Sequence, residues 1–351
     1  MRQAPQSTVE PPETHRIDPV SLEKWMQTNV EGFGGSLTIR KFKGGQSNPT
    51  YWLADDERAY VLRKKPPGKL LPSAHAIDRE YRVMHALRDT DVPVAKMYGY
   101  CADESVIGQP FYIMEFMEGR TFWDAQLKSC EREERTAIYE ELARVLAALH
   151  TVDVEKVGLS DYGKSGGYVE RQVKRWSEQY RASQTTEVPT MESLIKWLQE
   201  NLPAADETTL THGDYRLDNV IVHSNEAHIL SVIDWELSTL GHPLADLGYF
   251  CMLYDVSLPK IGGLLGTDFK ASGIPTEAEF VKKYCEYAGR DSVPDLQYFK
   301  AFSLFRLAAI AQGVFKRSQQ GNASSPEAAL FGAAVPHLSG VACRLINTGV
   351  A

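Results

Sequence analysis

The chain has 351 residues, 43% of them hydrophobic, enough to bury a sizeable core and to build two lobes. Lys and Arg number 38 against 46 Asp and Glu, a net charge of −8, which argues against a nucleic-acid partner because such binding rests on basic contacts to phosphate. The five cysteines are scattered with no CxxC pair, the usage expected of reduced, mostly buried thiols in a cytoplasmic protein.

The polar, Pro-containing start, MRQAPQSTVEPPETHR, carries no signal-peptide pattern, and residues 1–17 are expected to form a disordered tail. Asp18-Pro19 then predicts a capped helix running to Val30. Three strands follow as a meander, Leu37 to Lys43, Thr50 to Ala54 and Ala59 to Lys65. Their first connection, Gly44-Gly45-Gln46-Ser47-Asn48, is a candidate nucleotide-covering loop, since Gly lets the backbone approach phosphate and leaves amides free to bind it. A plain hairpin turn accounts for two adjacent glycines equally well. A helix from Ile77 to Arg88 aligns Ile77, Tyr81, Met84 and Leu87 on one face, with Glu80 beside that stripe. Phe111 to Phe116 reads as a strand, and helical periodicity dominates from Thr121 onward, beginning with Glu131 to His150. Further helices are expected at Pro243 to Tyr254, Pro275 to Gly289, Pro294 to Gln319 and Pro326 to Asn347. The most apolar long stretch, Ala301 to Phe315, is interrupted by Arg306 and Gln312 and is too short to span a bilayer, so it reads as a core helix and no membrane partner is expected.

Between the two helical regions lies THGDYRLDNVIVHSNEAHILSVIDWELSTLGHPLAD, Thr211 to Asp246. Val220 to Val222 and Ile229 to Ile233 are β-branched runs joined by the polar turn His223-Ser224-Asn225-Glu226, a hairpin pattern. Asn219 at the start of one strand and Asp234 at the end of the other then return to the same end. Mg²⁺ takes hard oxygen ligands and keeps waters and substrate phosphates for the rest of its shell, so these two side chains suffice to hold it. Asp214, on the loop entering the first strand, is placed to accept a proton from a bound hydroxyl. Each residue alone also suits an ordinary turn. His223, His228 and His242 lack zinc-type spacing.

HGDYRLDN followed by IDW, together with HPLADLGYF, resembles the aminoglycoside phosphotransferase and choline kinase group, small-molecule relatives of protein kinases. The resemblance covers Leu37 to Leu345. YVLRKKPPGKLLPSAHAIDREYRVMHAL is most similar to the kinase-like module fused to some acyl-CoA dehydrogenases, and here that module is expected to stand alone. The resemblance implies an α+β, protein-kinase-like bilobal fold. An antiparallel β-sheet N-lobe would occupy residues 18–117 and bind nucleotide, and a mainly helical C-lobe with the catalytic hairpin and acceptor site would occupy 118–351.

In that pattern Arg63 holds the nucleotide's phosphates and Glu80 holds Arg63, with Arg standing where protein kinases carry Lys. Lys64 points to the opposite strand face by the two-residue period. Backbone groups of Glu115, Phe116 and Met117 would bind adenine, Arg216 would steady charge near the γ-phosphate or stand equally well as a surface Arg, and His212 would brace the loop. Asp246 either adds a metal ligand or, preferred, caps the helix or ties the catalytic loop in place. Trp235 and Glu236 follow Asp234 where Phe and Gly would stand, and HPLAD arrives within a few residues. No room remains for a phosphorylated activation segment.

The expected activity is phosphorylation of a hydroxyl on a small molecule, with ATP as co-substrate and Mg²⁺ as cofactor. A hydroxyacyl compound or its CoA thioester is the first acceptor implied, with an aminoglycoside or amino alcohol as the rival and a functional link to an acyl-CoA dehydrogenase. The reading from another class is a catalytically silent nucleotide-binding partner module.

Overall fold

In the computed structural model, which describes residues 3–43, 48–66, 76–257, 262–320 and 326–348, the chain divides into two units. Unit 1 comprises Met1–Gly119 and Leu230–Glu236, and unit 2 comprises Arg120–Ile229 and Leu237–Ala351. The first break therefore falls two residues beyond the expected one, and a short return segment carrying Asp234 joins the first unit. Gly44, Gly45, Gln46 and Ser47 lie outside the described residues.

Unit 1 is built on a six-stranded antiparallel sheet in the order β1-β2-β3-β4-β6-β5, from β1 (Thr8–Val9), β2 (Thr38–Phe42), β3 (Thr50–Ala54), β4 (Ala59–Lys64), β5 (Met97–Cys101) and β6 (Phe111–Glu115). Its helices are α1 (Pro19–Asn29), α2 (Ile77–Leu87) and the short α3 (Glu104–Ile107). Asp18 caps α1 by accepting the amides of Val20 and Ser21, as its position before Pro19 predicts. Strand register sorts the side chains. Tyr51, Leu53, Tyr60, Leu62, Phe111 and Ile113 form a core with Leu22 and Met26 of α1. The other face is set by the pairs Trp52 with Val61, Ala54 with Ala59, and Thr50 and Tyr112 with Arg63. Arg63 and Lys64 thus separate by one residue and by one whole face. Lys64 is buried, with its ammonium 5.7 Å from the Tyr51 ring centroid.

The N-terminal segment departs from the expected disorder. Thr8 and Val9 pair with Phe42 and Lys41 at the sheet edge, Arg40 ion-pairs with Glu10, and Ile17 enters the core. An exposed edge of unpaired amides and carbonyls is what a short segment can satisfy even when its composition is polar and Pro-rich.

Unit 2 is mainly helical. After the two-residue β7 (Gly119–Arg120) come α4 (Arg132–His150), α5 (Tyr168–Ser183) and α6 (Pro189–Glu200), then β8 (Thr209–Thr211), β9 (Val220–His223), β10 (Ile229–Val232) and β11 (Thr239–Gly241), with Gly119 of β7 and Leu230–Val232 of β10 counted in unit 1. The helices α7 (Pro243–Cys251), α8 (Phe269–Ser272), α9 (Glu277–Ala288), α10 (Leu296–Gln319) and α11 (Phe331–Thr348) complete it. All nine residues of α7 are buried, and α7 packs on α10. At Gly248 a Cβ would come within 2.6 Å of the Phe299 backbone carbon, so glycine is what lets these helices approach. Thr276 and Glu279 close a reciprocal cap on α9, which places its start two residues after the expected Pro275. The apolar stretch Ala301 to Phe315 is indeed the buried centre of α10. The segment Ala328–Asn347 is long and apolar enough to cross a membrane, carries Pro336, and packs on α10 and α6. All five cysteines are free thiols.

Candidate functional site

The candidate residues fall into two clusters, one in each unit. In unit 2, β8 and β11 pair antiparallel with Thr211 opposite Thr239, so the chain entering the loop at His212 runs beside the chain leading into α7. His242 accepts the Leu244 amide at the N-cap of α7, and Pro243 fills the first turn. Asp246 follows in that turn, buried, and its two carboxylate oxygens accept the amides of His212 at 2.6 Å and Gly213 at 2.8 Å. Asp246 therefore ties down the loop, the preferred of its two expected roles. His150 Nε2 stands 3.5 Å from the same carboxylate, and its Nδ1 pairs with the Tyr284 hydroxyl at 2.8 Å. Burial pushes the Asp246 carboxyl up, but the His150 and His212 side chains and the loop amide outweigh it, and the net direction is below the usual carboxylate range.

Gly213 turns the chain at φ +82°, where a Cβ would meet the Leu237 carbonyl oxygen at 2.7 Å. The next residue, Asp214, has its amide held by His212 Nδ1 at 3.2 Å, so the fully buried imidazole braces the loop. Asn219 closes a one-turn 3-10 helix, Leu217–Asn219, rather than opening the strand, which begins at Val220. That turn lets its Nδ2 donate to the Asp214 carbonyl at 2.8 Å and carboxylate at 3.0 Å. The Asn219 Oδ1 is thereby left as the oxygen a hard cation would take. Arg216 Nε lies 3.5 Å from Asp214 and its Nη2 bonds Asp218 at 2.7 Å. The hairpin turn after β9 closes with the His223 amide donating to the His228 carbonyl.

Three further side chains gather at this loop and were not singled out from sequence. Burial, and after it the nearby Asp214 charge, pushes the phenol of Tyr249 on α7 up. Arg306 of α10 is buried and donates from Nη2 to the Gly213 carbonyl. Its guanidinium carbon lies 4.9 Å from the Tyr249 ring centroid and 5.9 Å from that of Trp176 on α5. The available signal was a charge in an apolar helical run, since buried Arg is rare unless partnered. An open cavity of about 630 Å³, lined by residues of α4, α8 and α9, includes none of the candidate residues.

In unit 1, Arg63 Nε stands 3.3 Å from Glu80 Oε2, and its Nη2 bonds Asp234 Oδ1 at 2.9 Å and lies 3.9 Å from Glu236. Glu80 is 1% exposed and also accepts from Asn48 Nδ2 at 2.9 Å and from the Tyr112 hydroxyl at 3.0 Å. Burial pushes the Glu80 carboxyl up to about 7 against the pull of Arg63. Burial also works to deprotonate Arg63, but Tyr112, Glu80 and Asp234 more than offset it and its pKa moves up. Asp234 holds φ +65°, a left-handed position unusual for a side chain with a Cβ. Asn48, the last residue of the expected Gly-rich loop, is thus committed to Glu80. The Glu115 and Phe116 amides donate to the Lys96 and Ala59 carbonyls, so these two N–H groups serve the sheet.

The comparisons with known proteins follow the same lines. Residues 38–282 match the model of the phosphotransferase enzyme family. The chain is 46% identical to acyl-CoA dehydrogenase family member 10 of Mus musculus over 318 residues, covering 90% of this chain and 30% of that protein. It spans less than half the length of the curated relatives it matches. A crystal structure from Ralstonia eutropha JMP134, of a protein assigned to the aminoglycoside phosphotransferases, is 48% identical with TM-score 0.89, covering 95% of this chain and 99% of that one. Choline kinase of Cryptosporidium parvum Iowa II (TM-score 0.66; 95% and 97% covered) and an aminoglycoside phosphotransferase in complex with ADP and hygromycin B (0.60; 94% and 99%) share the fold at 15% identity. The architecture is the protein-kinase-like bilobal α+β fold, and the chain belongs to the phosphotransferase enzyme family, small-molecule kinases that act on an alcohol group.

Proposed function

We propose that the chain transfers the γ-phosphoryl group of ATP to a hydroxyl of a small metabolite in a Mg²⁺-dependent reaction, with a hydroxyacyl compound, free or as its CoA thioester, as acceptor. The observation that carries this is the held carboxylate of Asp214, fixed through its amide by His212, through its oxygen by Asn219 and through the loop backbone by Asp246. Phosphoryl transfer needs little covalent help and much positioning, and that network is a positioning device.

Asp214 orients the acceptor hydroxyl and takes its proton as the oxygen bonds to the γ-phosphorus. The bond from phosphorus to the bridging oxygen breaks, and its electron pair leaves on ADP. Arg63, kept charged by Glu80 and Asp234, suits the nucleotide's phosphates. Asn219 Oδ1 and the Asp234 carboxylate each offer the hard oxygen that Mg²⁺ takes, and we assign both as ligands of an ion that would neutralise charge on the phosphates. ATP as the donor is supported by the fold neighbour that binds ADP. The hydroxyacyl acceptor and a working link to an acyl-CoA dehydrogenase are supported by the names of the relatives at 43% to 46% identity.

The test is Asp214→Asn assayed with ATP, Mg²⁺ and a panel of hydroxyacyl-CoAs, hydroxy acids and amino alcohols. Product formation should vanish while nucleotide still binds. Normal turnover by this variant removes Asp214 as the base, and tight binding of a dehydrogenase with no turnover by the unaltered protein favours the silent module instead.

A further inference from the structure

The guanidinium of Arg306 is placed by three contacts that leave part of it unused. Its Nη2 bonds the Gly213 carbonyl, one residue before Asp214, while the rings of Tyr249 and Trp176 lie 4.9 and 5.9 Å from its centre. The Asp214 charge also reaches Tyr249, whose phenol it helps to push up after burial. The Nε of Arg306 is buried and has no hydrogen-bond partner among the described residues, on a side chain 7% exposed. Leaving a charged donor buried and unpaired is costly, and bracing a loop carbonyl needs only the Nη2 contact. The free donor is the part of this side chain that a ligand oxygen would complete.

We infer that Arg306, held against Trp176 and Tyr249, is an acceptor-specificity residue that receives a carbonyl or carboxylate oxygen of the molecule whose hydroxyl Asp214 deprotonates. This rests on the phosphotransferase reading of Asp214 and deepens it by naming the acceptor class. Arg does not lose its proton in proteins, so a permanent cation stands at the loop that carries the base. An acyl or carboxylate oxygen finds a charge-assisted donor there. An ammonium-bearing acceptor meets like charge at short range instead, so the same residue disfavours amino alcohols and amino sugars. Neither α5, which supplies Trp176, nor Arg306 belongs to the motif that defines the reaction, in keeping with specificity being set by helices around a shared centre.

The experiment compares the unaltered chain with Arg306→Met and Arg306→Lys on three acceptors: a 3-hydroxyacyl-CoA, the matching free hydroxy acid and a primary amino alcohol. For whichever of the first two is turned over, Arg306→Met should raise KM about tenfold or more, the value of one charge-assisted hydrogen bond, with a smaller change in kcat. Discrimination against the amino alcohol should fall with it, and Arg306→Lys should restore part of both. The thioester and free-acid arms separate a carbonyl ligand from a carboxylate one. An equal fall in kcat on every acceptor with KM unchanged would mean loop bracing alone and would overturn the inference, as would unchanged kinetics. Calorimetry with butyryl-CoA and with butyrate, which lack the hydroxyl, reads the site without turnover. Binding weakened about tenfold by Arg306→Met sustains the inference, whereas equal affinity, or no binding of either by the unaltered chain, overturns it. Absence of ADP formation with every acceptor would instead count against the phosphotransferase reading, with the calorimetric arm still deciding Arg306.

Discussion

Replacing Arg63 with Met strips a buried carboxylate of its cation, and the loss should depend on pH in a way the structure fixes. Glu80 is 1% exposed, 3.3 Å from the Arg63 Nε, and its carboxyl is pushed up to about 7 by burial. A carboxyl raised in the folded state binds its proton more tightly there than in the unfolded chain. Its contribution is therefore fully present below the ordinary carboxylate range and is lost as pH rises toward about 7, beyond which the unaltered protein changes no further. Without Arg63 that upper limit moves higher, and Glu80 keeps drawing on stability above it at about 1.4 kcal/mol per pH unit. Between about pH 7 and pH 8.5 this amounts to about 2 kcal/mol. Breaking a buried pair from one side costs about 3 to 5 kcal/mol. Urea unfolding should therefore show Arg63→Met losing that much at pH 8.5 and about 2 kcal/mol less at pH 5.5, where Glu80 is protonated in both proteins. Adding Glu80→Gln removes the titrating group and should erase the difference between the two pH values. A loss of equal size at both pH values, or one under about 1 kcal/mol at pH 8.5, refutes the reasoning that Arg63 and Glu80 form one electrostatic unit.

Two substitutions probe the loop that carries Asp214. Gly213→Ala forces a Cβ onto a φ of +82° and within 2.7 Å of the Leu237 carbonyl. Left-handed strain alone is worth about 1 to 2 kcal/mol, so thermal unfolding should register about 2 kcal/mol or more, and a displaced Asp214 should lower kcat at least about tenfold. Full activity in that variant would show that the loop tolerates movement. Asp246→Asn turns an amide nitrogen toward one of the two loop N–H groups now accepted at 2.6 and 2.8 Å, and should cost about 2 to 4 kcal/mol at neutral pH. Because the Asp246 carboxyl lies below the usual range, its stabilisation is complete above the ordinary carboxylate pKa and is lost only as acid carries pH down through its lowered value. Unfolding curves for the two proteins should differ by a constant amount from about pH 5 to pH 8 and converge only below about pH 4. Convergence at higher pH would remove Asp246 as the ionised anchor.

The parts of the molecule that were legible in the sequence are those whose geometry is local. The two-residue period of β4 places Arg63 and Lys64 on opposite faces, and the helical stripe of α2 sets Glu80 beside the buried side, so a short β4-to-α2 stretch brings Arg63 and Glu80 within 3.3 Å. The loop from His212 to Asn219 is similar, because the Asn219 contact to Asp214 spans only five residues. What escaped rests on distant partners. Thr8 finds Phe42 at a sheet edge, and a two-residue strand leaves no periodicity to read. The helix α5 shows mainly polar residues, so its buried positions, Val173 and Tyr180 among them, are few against many charges. Asp246 serves amides 33 and 34 residues away, and Arg306 serves a carbonyl 93 residues away. Even these left a trace of another kind. Asp246 sits in an α7 that is otherwise buried and nearly all apolar, and Arg306 interrupts the most apolar run of the chain. A charge that folding carries into such surroundings must meet a partner or forfeit the desolvation energy. The residue that breaks an apolar pattern therefore marks where a distant backbone group or a ligand has to arrive, and in this chain both such residues arrive at His212 and Gly213, beside Asp214.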